Sequence, residues 1–141
     1  MKKLTTILFF GLLSVGLFAQ NKVAKIEFKT DTIDYGTIEK GADGLRTFEF
    51  TNTGDAPLII TDVKSTCGCT VPKWTKEPIM PGQGGEIQVK YDTNRVNPIR
   101  KTVTVISNAE TPTVSLKIKG TVVDSTKDNP LEKKAKSLIE Q

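Results

Sequence analysis

Histidine is absent from the 141-residue chain. Without an imidazole there is no Ser/His/Asp or Cys/His triad, no His-ligated zinc or haem, and no side chain that ordinarily titrates near neutrality. Aromatic residues make up only 6%, with a single Trp, and 20 Lys+Arg stand against 16 Asp+Glu. A nucleic-acid binder needs a basic stripe with interleaved aromatics. Here Lys25, Lys29, Lys64, Lys73, Lys90 and Arg100 are scattered among carboxylates and read as a solvated surface. The chain also lacks a phosphate-cradling glycine loop, because Gly82-Gln83-Gly84-Gly85 joins two expected strands instead of opening a helix. Its aspartates show neither EF-hand spacing nor a pair set for acid–base work. No enzyme is expected.

What is present divides into three parts. Lys2 and Lys3 precede an apolar run from Leu4 to Phe18, and Ala19 then meets Gln20. This is the pattern of a cleaved signal peptide over residues 1–19. The run is shorter than the roughly 20 residues a bilayer span requires, so no transmembrane segment is expected in the mature chain. Removing the leader lowers the net charge from +4 to +2, since it carries two lysines and no acid. At the other end, 124–141 opens as a polar linker and then reads as a short amphipathic helix. Asn129 suits its cap and Pro130 its first turn; Leu131, Ala135, Leu138 and Ile139 share one face, and Lys133, Lys134 and Lys136 another. Such a helix can dock on the domain, fray, or lie on an anionic membrane.

Between these ends, residues 20–123 alternate with period two. Ile26 and Phe28, Ile33 and Tyr35, Phe48 and Phe50, Ile87/Val89/Tyr91, Val103 and Val105, and Val114/Leu116/Ile118/Val122 mark strands with one buried face. The more continuous Leu58–Val63 run reads as a central strand, and Gly120 as a bulge. Turn residues at 52–55, 81–85 and 107–110 separate the strands, and Pro81-Gly82 suits a type II turn. About seven strands in a single domain predict an all-β, Ig-like antiparallel β-sandwich.

The one unusual chemical feature is Cys67-Gly68-Cys69, followed by Thr70. In an extended segment, residues i and i+2 face one side about 6.6 Å apart, at the long edge of the roughly 4.4–6.8 Å that disulfides span. A fold at Gly68 shortens that distance. Three uses stay open for Cys67 and Cys69. They can form a disulfide that restrains little chain. They can act as a redox pair, with Lys64 or Lys73 lowering a thiol pKa. Or they can form a two-thiolate metal site, for which Cu(I) suits better than zinc, with Met80 as a third soft ligand. A cofactor-free protein is the default expectation, with Cu(I) as the alternative. Trp74, between Pro72 and Pro78, reads as a lid under the following loop or as an anchor for a partner.

The segments 48–60, Cys67-Gly68-Cys69-Thr70, Pro78-Ile79-Met80-Pro81-Gly82, Gly85-Glu86-Ile87, 102–108 and 116–120 together resemble a secreted bacterial domain family of unknown function, DUF1573. The resemblance runs from about Phe28 to Val123. It implies a sandwich in the style of Hydin and major-sperm-protein domains, exported by Gram-negative bacteria to the periplasm or cell surface, with no activity attached. The resulting expectation is a non-enzymatic binding or structural module for a protein or glycan; in the last strand Val114, Leu116 and Ile118 are expected first to fill the domain's own core, with β-augmentation as the second reading. The alternative is a module in which Cys67 and Cys69 act directly through Cu(I) or redox chemistry.

Overall fold

Alternating side chains can bury one face only if that face meets another sheet, and the chain solves this with two four-stranded layers. The computed structural model describes residues 21–126; the expected leader at 1–19 and the helix expected after Asn129 lie outside them. The strands are β1 (Ile26–Phe28), β2 (Thr32–Glu39), β3 (Leu45–Asn52), β4 (Ile60–Ser65), β5 (Thr70–Trp74), β6 (Gly84–Tyr91), β7 (Pro98–Ser107) and β8 (Thr113–Val123), with no helix among the described residues. One sheet has the order β1-β3-β6-β5 and the other β2-β8-β7-β4.

The core comes from the inward positions of both layers. Phe48, Phe50, Ile87, Val89 and Tyr91 from the first sheet face Ile60, Val63, Val103, Val105, Leu116, Ile118 and Val122 from the second, all buried. Fully burying side chains of this size stabilises by about 1.5–3 kcal/mol each. β4 keeps both Ile60 and Val63 inward although they are three apart, because its register against β7 slips between Ile60 and Asp62. A bulge there restores the phase.

Four expectations need correction. There are eight strands, not seven, the extra one being β5. It was hidden because Val71 faces solvent, 63% exposed, and because Pro72 is poor strand material except at an edge, where β5 lies. The Leu58–Val63 segment is not central, since β4 closes its sheet at the edge. The sandwich is not wholly antiparallel: β2 runs parallel to β8. Gly120 does not carry the bulge but sits opposite it, where Tyr35 and Gly36 of β2, between Asp34 and Thr37, together face this one residue. A Cβ on Gly120 would lie 2.8 Å from both Gly36 O and Tyr35 Cβ, so the close approach needs glycine.

The Pro81-Gly82 expectation holds in detail. Gln83 N donates to Met80 O at 3.0 Å, and Gly82 has φ of 81°, as a type II turn requires at its third position. From Lys117 onward β8 is paired on both sides, to β7 and β2, and Leu116 and Ile118 fill the core. That stretch has no free edge for β-augmentation.

Candidate functional site

β4 and β5 are the edge strands of opposite sheets, and the chain passes from one to the other through Thr66, Cys67, Gly68 and Cys69. The crossing continues both ladders. Thr66 N donates to Thr102 O at 3.1 Å, one residue beyond β4, and Asp92 N donates to Cys69 O at 2.8 Å, one residue before β5. Between these anchors the Ser65 hydroxyl donates to Cys67 O at 2.5 Å and accepts from Cys67 N at 3.2 Å. Thr70 N donates to Cys67 O at 3.3 Å, which closes a tight turn with Gly68 and Cys69 at its centre. The turn brings the two Cα atoms to 5.3 Å, and Cys67 and Cys69 are joined in a disulfide. Gly68 thus folds the chain as its place in the motif suggested.

The two sulfurs have unlike surroundings. Cys69 is 5% exposed and packs into the core, whereas Cys67 is half-buried at its margin. The Thr70 hydroxyl lies 4.0 Å from Cys67 Sγ and 3.9 Å from Cys69 Sγ. Outside the turn there is open space: a Cβ built on Gly68 meets no heavy atom within 4 Å. Lys64, considered above as a thiol activator, pairs with Asp62 at 3.3 Å on the outer face of β4. A sulfur shared in a disulfide is not a thiolate, so Cu(I) ligation by this pair would first require reduction.

Met80 cannot complete such a site. It sits in the turn before β6, 48% exposed, while Cys69 contacts the residue after the other end of β6. The eight residues of that strand separate them by roughly 23 Å. Met80 is therefore a surface residue, neither a ligand for the pair nor a core side chain. Trp74 packs half-buried against the core, and its indole Nε1 is buried without an acceptor among the described residues. That favours the lid reading over an exposed anchor.

Beside Cys69, Asp92 holds the end of β6. Its carboxyl lies below the usual range, first because the Asn94 backbone amide donates to it and then through the Asn94 side chain and Arg95. Residues 41–44 and 90–94 border a shallow polar depression of about 320 Å³ here. Tyr35 lies under its rim. The phenol donates to Gly44 O at 2.7 Å, Arg46 stacks 4.3 Å from the ring centre, and burial pushes the phenol up to about 12.

Sequence reading missed two features. On the outer face of the second sheet, register places Arg100 directly opposite Lys119 and Thr102 opposite Lys117. Together with Thr32 they line a groove of about 380 Å³, in which Lys119 pairs with Asp34 at 3.4 Å. Arg100, one of the cations that looked scattered along the chain, is gathered with Lys117 and Lys119 by the β7–β8 hairpin. The second feature is Asn52, which reads as a turn residue but is fully buried. Its Nδ2 donates to Ala56 O at 2.8 Å and Ile79 O at 2.9 Å, while Oδ1 accepts from Lys25 N at 3.3 Å and Gly54 N at 3.0 Å.

Comparison with known proteins agrees with this geometry. The family described as "Protein of unknown function (DUF1573)" matches residues 26–122. No curated protein matches the chain. Among solved structures, a protein of unknown function from Porphyromonas gingivalis W83 is similar at TM-score 0.65 and 18% identity, over 77% of this chain and 51% of that one. The chain therefore spans about half of that relative. The ASH/PapD-like domain 7 of human CEP192 is similar at TM-score 0.60 and 11% identity, over 72% of this chain and 87% of that one. The secreted serine protease VesC of Vibrio cholerae is similar at TM-score 0.55 and 13% identity, over 71% of this chain but 23% of the protease. At these identities the likeness is one of fold.

Proposed function

The chain belongs to the DUF1573 family, and we propose that it is an exported, non-enzymatic binding or structural module of a Gram-negative envelope, holding a protein or glycan partner through its surface. The observation that carries this reading is where the polar chemistry lies. The space between the sheets is filled by aliphatic and aromatic side chains, and the buried Asn52 and Thr93 spend their hydrogen bonds on neighbouring backbone. What is left to meet a partner is on sheet edges, loops and outer faces. Sharing of the fold by a CEP192 domain and part of a protease supports a module whose function resides in its surface, not in the fold. Export is supported by the leader pattern of residues 1–19 and by a disulfide, which persists in oxidising compartments.

The outer edge of β5 is the first surface to test, because Val71 exposes an apolar side chain there. A photo-crosslinking residue at Val71 in the full chain, expressed in its own bacterium, is expected to yield a discrete adduct in the periplasmic or envelope fraction. The adduct is expected to persist in the Cys67→Ser/Cys69→Ser variant. Cytoplasmic fractionation would refute export. Absence of any discrete adduct there and at Arg100 or Lys117, in a chain that is folded and exported, would refute the binding role.

A further inference from the structure

The Cys67–Cys69 disulfide closes a loop of sequence separation two, and a link that short restrains the unfolded chain little. It is also redundant in the folded chain. The turn is already held by Thr66 N to Thr102 O, Thr70 N to Cys67 O, Asp92 N to Cys69 O and the two bonds of the Ser65 hydroxyl. None of these bonds uses a sulfur. The bond can therefore open without removing what shapes the crossing. Its two ends differ in access: Cys67 is half-buried at the surface beside the open space over Gly68, and Cys69 is 5% exposed. A nucleophile approaching from solvent meets Cys67 first.

We propose that Cys67–Cys69 is a reversible thiol–disulfide exchange site that takes electrons from a dithiol, with Cys67 as the attacked sulfur. One thiolate of the dithiol attacks Cys67 Sγ; the Cys67–Cys69 bond breaks, a mixed disulfide forms, and Cys69 leaves as a thiolate and takes up a proton. The second thiolate of the reductant then attacks its own sulfur in the mixed disulfide, so that Cys67 departs and is protonated. Two electrons and two protons pass to the protein, and the dithiol becomes a disulfide. The Thr70 hydroxyl, at 3.9–4.0 Å from both sulfurs, is a hydrogen-bond partner for the thiols that opening releases. This inference does not depend on the binding role proposed above.

The test equilibrates the full native chain with graded ratios of reduced and oxidised dithiothreitol, traps thiols with an alkylator and counts them by intact mass, while circular dichroism follows the sheets. The expected result is a single transition from zero to two alkylated thiols without denaturant and without loss of the β signal. Resistance to reduction until the chain is unfolded, or collapse of the β signal on reduction, would overturn the proposal. A second arm compares Cys69→Ser, which leaves Cys67, with Cys67→Ser, which leaves Cys69, both verified as folded. Alkylation of Cys67 is expected to be at least about tenfold faster. Equal rates would overturn the assignment of Cys67 as the attacked sulfur, and the wild-type titration decides the proposal should either variant fail to fold.

Discussion

Of the five passages between the sheets made by the described strands, two successive ones, at β3–β4 (the first crossing below) and at β4–β5 (the second), are secured in different ways. At the first, Asn52 uses both amide hydrogens and its carbonyl oxygen to tie together the turn, Lys25 just before β1 and the segment at Ile79. At the second, backbone bonds to both sheets and the Ser65 hydroxyl do the shaping, and a disulfide is added on top. The covalent link thus lies where geometry is already set, while the first crossing has no covalent link and is held by the Asn52 and Asn108 side chains together with backbone bonds such as Thr53 N to Lys25 O and Leu58 N to Ile79 O.

The sharpest way to break this comparison is to remove the amide at the first crossing. Asn52→Leu leaves Lys25 N, Gly54 N and Ala56 O without their side-chain partner at a half-buried site, while Ile79 O keeps Leu58 N, and each orphaned group costs about 1–3 kcal/mol less whatever water recovers. Urea unfolding is expected to show a loss of about 3–4 kcal/mol. Next in size is Gly54→Ala at the same crossing. Its Cβ would lie 2.2 Å from Val23 O and 2.5 Å from Lys25 N, so backbone must move; a loss of about 2 kcal/mol in the same assay is expected. At the second crossing, Cys67→Ser/Cys69→Ser is expected to cost no more than about 1.5 kcal/mol, the chain-entropy value for so short a loop. A larger loss that the reduced wild-type chain shares, free of the hydroxyl that Ser places at the buried Cys69 position, would make the disulfide a staple after all.

Tyr35, beneath the rim of the depression bordered by residues 41–44 and 90–94, gives a pH test. Its folded pKa of about 12 exceeds the unfolded value near 10, so the folded state keeps its proton longer. The contribution is fully present below about pH 10 and is lost as pH rises toward 12. Tyr35→Phe is expected to cost about 1 kcal/mol at neutral pH by leaving Gly44 O without its phenol. It should also flatten the stability profile across that alkaline window, measured by urea melts at stepped pH. The smallest effect belongs to Gly68→Ala: with nothing near the added methyl and no positive φ at that glycine, stability is expected to stay within about 0.5 kcal/mol.

Much of this architecture was legible because period-two alternation and turn chemistry are local signals. Phe48 and Phe50, Ile87 to Tyr91, and Pro81-Gly82 each announced their role within a few residues. What escaped depends on pairing across long separations. β5 looked like loop because its most apolar outward residue, Val71, is exposed and Pro72 interrupts it. Asn52 looked like ordinary turn punctuation because its partners at Lys25 and Ile79 are each 27 residues away. The grouping of Arg100 with Lys117 and Lys119 exists only once β7 folds back on β8. For the cysteines, spacing alone identified the pair and its proximity. The unequal burial of the two sulfurs comes from the core beneath Cys69, which no local pattern reveals.

Amide hydrogen exchange on the oxidised and the fully reduced chain tests the difference between the crossings most directly. The amides to follow are Thr66, Thr70 and Asp92 at the second crossing, with Asn52 and Gly54 at the first as internal reference. If backbone bonds shape the second crossing, all five amides keep their protection when the disulfide is opened. Selective loss of protection at Thr66, Thr70 and Asp92 on reduction, with Asn52 and Gly54 unchanged, would show that the disulfide itself holds that crossing and would contradict the account.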